Sequence, residues 1–228
     1  GDAVVAMFGA PLELPDHAYR ACVTALKVQN KLAELRQQWT EEGDKWPELV
    51  HSMRTRIGLN TGVCMIGNIG SRMRFSYTMM GDDVNLAARM ESGAKSWGAY
   101  TMCTEATKVA CEAHSGDQIV FRPLARIIVK GRSRPTSVYE VVGFKESLSE
   151  KSRECLARFA EGLKHYYARN WELAENCFQL SAEKEINVPG KSPGVLANPS
   201  LVYLEIIAEC RQNPPDADWN GVAVMKDK

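Results

Sequence analysis

The stretch YTMMGDDVNLAARMES, residues 77–92, constrains the fold of this chain more than any other. Its first part is a short β-type run that ends in a Gly-Asp-Asp turn, and its second part has helical spacing. We predict that Asp82 or Asp83 caps a helix that ends near position 92. Residues four apart share one face of a helix, so Asn85 and Arg89 point the same way. An isolated Asn/Arg pair is usually an ordinary feature of a helix, but an amide and a guanidinium beside a helix N-terminus also suit a phosphate or a developing oxyanion.

Composition excludes several classes of protein. Of the 228 residues, 45% are apolar and 25% charged, as in an ordinary globular protein. Lys plus Arg (28) balances Asp plus Glu (28), so no overall charge attracts nucleic acid, and no nucleic-acid partner is expected. No apolar run approaches the ~20 residues of a membrane-spanning helix.

The seven cysteines are scattered, with no Cys-x-x-Cys and no Cys/His cluster at zinc-ligand spacing. We therefore expect reduced thiols that pack as small hydrophobic residues in a cytosolic setting. The four histidines are isolated from one another, and none is assigned a catalytic role.

The order of elements predicts an α+β fold. A short strand after the Gly-Asp turn, "AVVAMFG", precedes a helix over residues 16–39 with Asp16 as its N-cap. Two β-rich runs in "RTRIGLNTGVCMIGNIG" and a hairpin ending in "FSYTMMG" come before the helix described above. A strand, a short helix and two further strands follow in "AYTMCTE", "EATKVACEA", "ARIIVKG" and "TSVYEVVGF". The hairpins indicate a mixed or antiparallel sheet with helices on one side.

A change of composition after Phe144 marks a second unit. We predict a sheet domain over residues 1–144, a helical hairpin over 150–212 and an irregular tail over 213–228. Gly162, Ala174 and Phe178 occupy the offsets of the small and aromatic positions of a tetratricopeptide (TPR) repeat. An unrelated helical hairpin explains a single repeat almost as well.

Three further side chains have both an ordinary and a functional interpretation. Asp2 lies in a tight turn that can present a carboxylate to a hard cation, although an Asp after Gly is more often a turn residue. Arg56 opens a strand and Lys130 ends one, where solvated or snorkelling charges are common. The Gly-rich "GVCMIGNIG" lacks the Lys-Ser/Thr of a phosphate loop and does not by itself indicate a nucleotide site.

Taken together, these segments closely resemble the catalytic domain of class III nucleotide cyclases. The resemblance covers roughly residues 1–143 in collinear blocks, and Gly-Asp-x-Val-Asn-x-Ala-x-Arg-x-Glu is its most specific block. It implies a ferredoxin-like cyclase domain, here without its N-terminal strand and helices, followed by an α-helical, TPR-like extension. The C-terminal part, with its Asp-Trp-x-Gly tail, resembles the extension of some bacterial-type adenylyl cyclases.

The resemblance also implies a reaction and roles for the residues. ATP or GTP binds between two cyclase domains with two Mg²⁺ or Mn²⁺ ions, and the ribose 3′-hydroxyl attacks the α-phosphorus. Asp2 matches a metal-binding aspartate, Arg89 the arginine that stabilises charge on phosphorus, and Asn85 the asparagine that orients the ribose. Arg56 and Lys130 match residues that hold the terminal phosphates.

Base choice is predicted from one position. Thr78 occupies the place of the Asp, Thr or Ser that adenylyl cyclases use, and its hydroxyl can accept a hydrogen bond from the adenine amine. We therefore predict an adenylate cyclase that forms cyclic AMP and pyrophosphate. The alternatives are a guanylate cyclase and a cyclase-like regulatory or scaffold module without turnover.

One departure from the family pattern matters. The first metal-binding aspartate and the base-selecting lysine would precede the Gly-Asp turn, so we expect a fragment of a longer cyclase that is inactive alone, with an unpaired sheet edge. The expected partners are ATP and a second cyclase domain in a homodimer or a paired-domain arrangement. The helical extension is a candidate docking surface for a further protein. The expected location is the cytoplasmic side, in a protein that could be membrane-anchored or part of an assembly.

Overall fold

The computed structural model describes residues 3–71, 73–128 and 134–224. The helices of these segments are α1 (His17–Glu41), α2 (Glu48–His51), α3 (Asp82–Gly93), α4 (Glu105–Ser115), α5 (Glu150–Tyr167), α6 (Trp171–Lys184) and α7 (Pro199–Gln212). The strands are β1 (Ile57–Leu59), β2 (Met65–Gly70), β3 (Phe75–Met80), β4 (Thr101–Thr104), β5 (Ile119–Ile128), β6 (Thr136–Phe144) and β7 (Val222–Val224).

Five of these strands form a mixed sheet in the order β1-β4-β6-β5-β7. The pairs β1–β4 and β5–β7 are parallel, whereas β4–β6 and β5–β6 are antiparallel. Strands β2 and β3 form a separate two-stranded antiparallel hairpin. The predicted mixed α+β architecture is therefore confirmed.

The prediction that helices cover one side of the sheet is wrong. Neighbouring side chains of β4 point to opposite faces, because successive residues of a strand alternate. Met102 packs with α3 and the C-terminal helices, whereas Cys103 packs with α1 and α4. The sequence pattern did not reveal this, since β4 is short and buried on both faces.

Two predictions near the start of the chain also need correction. Residues 3–10 form no strand, because a strand needs a hydrogen-bonded neighbour and no described strand pairs with them. Asp16 does occupy the N-cap position of α1, but its side chain makes no capping hydrogen bond. Its carboxylate instead accepts from Nε of Arg20 at 2.8 Å, one turn along the helix.

The predicted helical hairpin is confirmed as α5 and α6, and α7 packs beside it. Phe159, Phe178 and Tyr203 from the three helices form an aromatic cluster with ring centroids 4.8–5.5 Å apart. The same buried cluster contains Leu124 and Val138 of the sheet. The extension and the sheet thus share one core, while its assignment as a TPR repeat stays a prediction.

A buried charge network joins the extension to the sheet. Arg122 of β5 donates to Glu140 of β6 at 2.7 Å and to Glu185, at the end of α6, at 2.6 Å. All three residues are under 9% exposed. Ser200 of α7 donates to the same Glu185 oxygen at 2.8 Å, and the guanidinium lies 5.1 Å from the Phe159 ring.

The network changes the acidity of its members. Burial raises the pKa of Glu140, an effect that Arg122 opposes and Glu185 reinforces. For Arg122, burial acts to lower the pKa, but the two carboxylates outweigh it and raise the pKa overall. The guanidinium is therefore held in its charged form between sheet and extension.

The tail is only partly irregular. Residues 222–224, predicted to be irregular, form β7 and extend the sheet beyond β5. Trp219 packs edge-on against Tyr166 and Trp171. Arg169 donates to the carbonyl oxygens of Asp216, Ala217 and Trp219, so hydrogen bonds as well as apolar contacts fix the tail. The prediction failed here because the pairing depends on a strand about 95 residues away, which local sequence does not reveal.

Among the described residues, no helix has both the length and the apolar character needed to cross a membrane.

Candidate active site at the start of helix α3

The candidate site begins where the β2–β3 hairpin passes into α3. Gly81 makes this turn with φ of 146°, a conformation that side chains rarely adopt. Its carbonyl accepts from the backbone N–H groups of Val84 and Asn85, so the helix starts directly after it. The prediction that Asp82 or Asp83 caps the helix is wrong, since both lie within the first helical turn and Gly81 is the N-cap residue.

Helix α3 divides its surface as its sequence suggests. Leu86 and Met90 are 3% and 0% exposed and pack in the core beneath the sheet. Asn85 is exposed and Arg89 is half-buried, one turn apart on a common face. The core contacts of the two apolar residues therefore fix the direction in which the amide and the guanidinium point.

The close approach of α3 to the sheet depends on Gly58 in β1. A Cβ atom at this position would lie 2.2 Å from the carbonyl oxygen of Ala87 and 2.2 Å from the backbone nitrogen of Glu91. Any side chain would push the middle of α3 away from β1. The absence of a side chain at Gly58 thus determines how closely α3, which carries Arg89, packs against β1.

Asp83 fixes the start of α3 to the loop that follows β1. Its carboxylate accepts from the Val63 backbone N–H at 3.0 Å, and its backbone carbonyl accepts from the Asn60 amide at 3.0 Å. The Asn60 side-chain oxygen in turn accepts from the Thr104 hydroxyl at 2.7 Å. These bonds connect the helix start, the loop and the end of β4, which gives Asp83 an orienting role that the sequence did not predict.

Thr78 lies in β3 opposite Gly67 of β2 and is half-buried. It is three residues before the Gly81 turn, so the structure places it on the element that leads directly into α3. Its role in selecting the base stays a prediction.

Arg56 lies directly before β1, at the end of that strand opposite to Asn60. It lines a small pocket of about 90 Å³ with Lys95, Tyr100 and Leu196, and its guanidinium is 5.8 Å from the Tyr100 ring. Asn60, directly after β1, contacts the start of α3. Lys95, which shares the pocket with Arg56, follows the end of α3. Ten residues separate Asn85 from Lys95, which corresponds to roughly 15 Å along a helix. Within one chain, Arg56 therefore lies nearer to the end of α3 than to Asn85 at its start.

Two predicted site residues, Asp2 and Lys130, lie outside the described residues. β5 ends at Ile128, directly before the segment that contains Lys130.

A family model described as "Adenylate and Guanylate cyclase catalytic domain" matches residues 1–143, well over half of the chain. The chain belongs to this family. The block from Gly81 to Glu91, with its exposed asparagine and half-buried arginine, is therefore part of a cyclase domain.

Two named relatives and one solved structure agree with this assignment. Adenylate cyclase 1 of Rhizobium meliloti is 38% identical over 143 residues, which are 63% of this chain and 20% of that protein. The terminal-differentiation-specific adenylate cyclase of Dictyostelium discoideum is 32% identical over 163 residues, 71% of this chain and 7% of that protein. The adenylyl cyclase CyaB of P. aeruginosa aligns with a TM-score of 0.51 at 31% identity, over 62% of this chain and 68% of the other. This chain thus spans a quarter or less of the length of the two curated relatives.

Proposed function

We propose that this cyclase domain works as an adenylate cyclase that converts ATP to 3′,5′-cyclic AMP and pyrophosphate at a dimer interface. The observation that carries the proposal is the common face of Asn85 and Arg89 on a helix whose depth and start are fixed by Gly58 and Asp83. Rigid placement matters because positioning and charge stabilisation supply most of phosphoryl-transfer catalysis.

The proposed reaction forms one bond and breaks another at the α-phosphorus. The ribose 3′-hydroxyl releases its proton to solvent water and its oxygen bonds to the α-phosphorus. The bond from that phosphorus to the oxygen bridging to the β-phosphate breaks, and pyrophosphate leaves. Arg89 stabilises the negative charge that accumulates on the α-phosphoryl oxygens. Asn85 donates to or accepts from the ribose and holds the 3′-oxygen in line.

The metal requirement is a separate part of the proposal. Mg²⁺ and Mn²⁺ prefer carboxylate and other oxygen ligands, and Asp2 is of this type. One carboxylate supplies too few donors for two ions, and the described residues hold no cluster of three or more acidic groups around α3. When bound, the ions would neutralise phosphate charge.

The β2–β3 hairpin supports the proposed dimer. It carries large apolar side chains that are at least half exposed, at Met65, Phe75, Tyr77 and Met80. Phe75 and Tyr77 share one face of the hairpin, and the paired Met65 and Met80 share the other. A two-stranded hairpin is marginally stable alone, and large apolar side chains exposed on its faces favour burial against a partner. We propose a second cyclase domain as its partner, which would place the metal-binding half of each site on the opposite protomer from Arg89.

Dimerisation is tested by sedimentation at several protein concentrations. Phe75→Asp should shift the population towards monomer and reduce turnover in proportion. Val109→Asp, a matched change at an exposed apolar residue of α4, should do neither. Equal effects of both variants would contradict the assigned interface.

The choice of ATP rests on Thr78 and on the relatives, which are named adenylate cyclases. The alternative is a guanylate cyclase, since the family includes both activities. Turnover of ATP and GTP is compared in the full-length protein that carries this sequence. We expect a higher kcat/KM for ATP and a loss of that preference in Thr78→Ala, whereas a preference for GTP would overturn the assignment.

A further inference from the structure

Three metal-ligating side chains meet on the helical extension, away from the cyclase site. Glu161 and His165 lie one turn apart on α5, and Cys177 lies on α6. One ligand atom from each of the three lies within 4.8 Å of the other two. No other group of three or more such residues occurs in the part of the chain that the structure describes.

The packing of the hairpin explains why these residues meet. Gly162 follows Glu161, and Phe178 follows Cys177, so the close approach of Gly162 to Phe178 lies at the level of the cluster. A Cβ atom at Gly162 would lie 2.9 Å from the Phe178 ring. The Phe159 ring packs edge-on against Phe178 at 5.2 Å. The α5–α6 spacing is thus set by the core and not by the three ligands themselves.

The donor set indicates the class of metal. A thiolate, an imidazole and a carboxylate together suit Zn²⁺, whereas Mg²⁺ and Ca²⁺ prefer oxygen alone. Zinc bonds of 2.0–2.3 Å place tetrahedral donors about 3.3–3.8 Å apart, so the donors need to approach by about 1–1.5 Å. Glu161 is exposed and His165 is half-buried, so both have room to move.

The present contacts of the three side chains leave them able to bind. In the described residues, neither the His165 ring nor the Cys177 sulfur has a side-chain hydrogen-bond partner. Glu161 accepts from Arg158 at 3.1 Å in a pair that is about half exposed. Such surface pairs contribute little to stability, so Glu161 can exchange this partner for a metal ion. Glu161 also lines a surface groove, so its carboxylate is open to solvent.

We propose that Glu161, His165 and Cys177 form a three-ligand site for Zn²⁺ that bridges α5 and α6, with water in the fourth position. Binding converts the Cys177 thiol to a thiolate and releases its proton to solvent. The ion would connect two helices whose core also contacts the sheet, through Phe159 and Leu124. The sequence alone concealed this site, because the cysteine is twelve residues from the histidine and on another helix.

The test uses Co²⁺ as a spectroscopic probe on the 228-residue protein after treatment with a chelator. We expect one equivalent of Co²⁺ to give a thiolate-to-cobalt charge-transfer band that one equivalent of Zn²⁺ removes. Cys177→Ser should abolish the band, and His165→Ala and Glu161→Gln should each weaken binding by at least about tenfold. Cys210→Ser, a half-buried cysteine on α7 outside the cluster, should bind as the unmodified protein does.

A carboxylate site in the cyclase domain would not give a thiolate band, so the result is independent of the proposed cyclase activity. Absence of the band, or a band that persists in Cys177→Ser, would overturn the proposal. If Cys177→Ser does not fold, the metal affinities of the Glu161→Gln and His165→Ala variants, at partly exposed positions, still test the proposal. Unchanged Co²⁺ and Zn²⁺ affinity in both of those variants would equally overturn it, and circular dichroism monitors the fold of each protein.

Discussion

Replacing Arg122 by Met should destabilise the whole chain, because Arg122 neutralises two buried carboxylates. Arg122 lies 2.7 Å from Glu140 and 2.6 Å from Glu185, and all three are under 9% exposed. Removal of one partner from a buried ion pair costs about 3–5 kcal/mol, since the remaining charge is left uncompensated. For a domain of this size, that corresponds to a fall in Tm of roughly 6–20 °C.

The loss should depend on pH. The pKa of Glu140 is already raised by burial above its ordinary value of 4.5, and removal of Arg122 raises it further. A carboxyl group with a raised pKa in the folded state binds protons more readily when folded, so its unfavourable effect grows as pH rises from the unfolded pKa through the folded pKa. The variant should therefore be closest to the parent protein in acid and furthest from it at neutral pH.

Urea unfolding followed by circular dichroism at pH 5 and pH 8 measures both effects. Arg20→Met is the matched control, because Arg20 makes a 2.8 Å ion pair with Asp16 on the surface of α1, where removal should change little. Two results would refute the reasoning: equal stability of Arg122→Met and Arg20→Met, or a deficit that does not shrink at pH 5.

Three further changes test how the cyclase domain is held together. Gly58→Ala should lower the free energy of unfolding in urea by about 1–3 kcal/mol, because its Cβ would lie 2.2 Å from the α3 backbone. Gly67→Ala, with open space around it, should leave the free energy of unfolding unchanged. Equal losses in the two variants would contradict the packing of β1 on α3. Tyr203→Phe should cost about 1 kcal/mol by loss of its 2.5 Å hydrogen bond to a β5 carbonyl, and no change in unfolding would show that this bond contributes nothing. Burial raises the pKa of Cys103, so native protein at pH 8 should be modified by a thiol reagent at half-buried Cys64 well before Cys103; equal rates would contradict its burial.

Much of the fold follows from local sequence. Helical spacing over residues 82–93 and the paired β-type runs before it predict α3 and the β2–β3 hairpin, and both exist. The α5–α6 pair follows from its apolar stripes in the same way. These elements are set by periodicity and turn residues, which a single sequence displays.

The rest depends on contacts between distant segments. The pairing of β7 with β5, the covering of both faces of β4 and the Arg122 network join residues that are far apart in sequence. Asp82 or Asp83 is expected from the sequence to cap α3, yet the Asp83 carboxylate binds the loop after β1, because that loop reaches it only in the folded chain. Asp and Glu side chains can serve either purpose, so sequence alone did not distinguish them.

In the candidate site, too, some features follow from local sequence and others from contacts between distant segments. The spacing of Asn85 and Arg89 predicts their common face, and the burial of Leu86 and Met90 agrees with it. The position of Arg56, by contrast, depends on how β1 lies against α3. Its pocket with Lys95 and Tyr100 is created by the tertiary fold.

The central claim is that Arg89 stabilises charge on the reacting phosphorus, and the most direct test is cyclic nucleotide formation by Arg89→Ala in the full-length protein. We predict that kcat falls by roughly 10²–10⁴, with little change in KM, as expected for a group that acts mainly in the transition state. The thermal midpoint should stay close to that of the parent protein, and Arg20→Ala should retain full activity. Near-normal cyclic AMP formation by a folded Arg89→Ala protein would contradict the account.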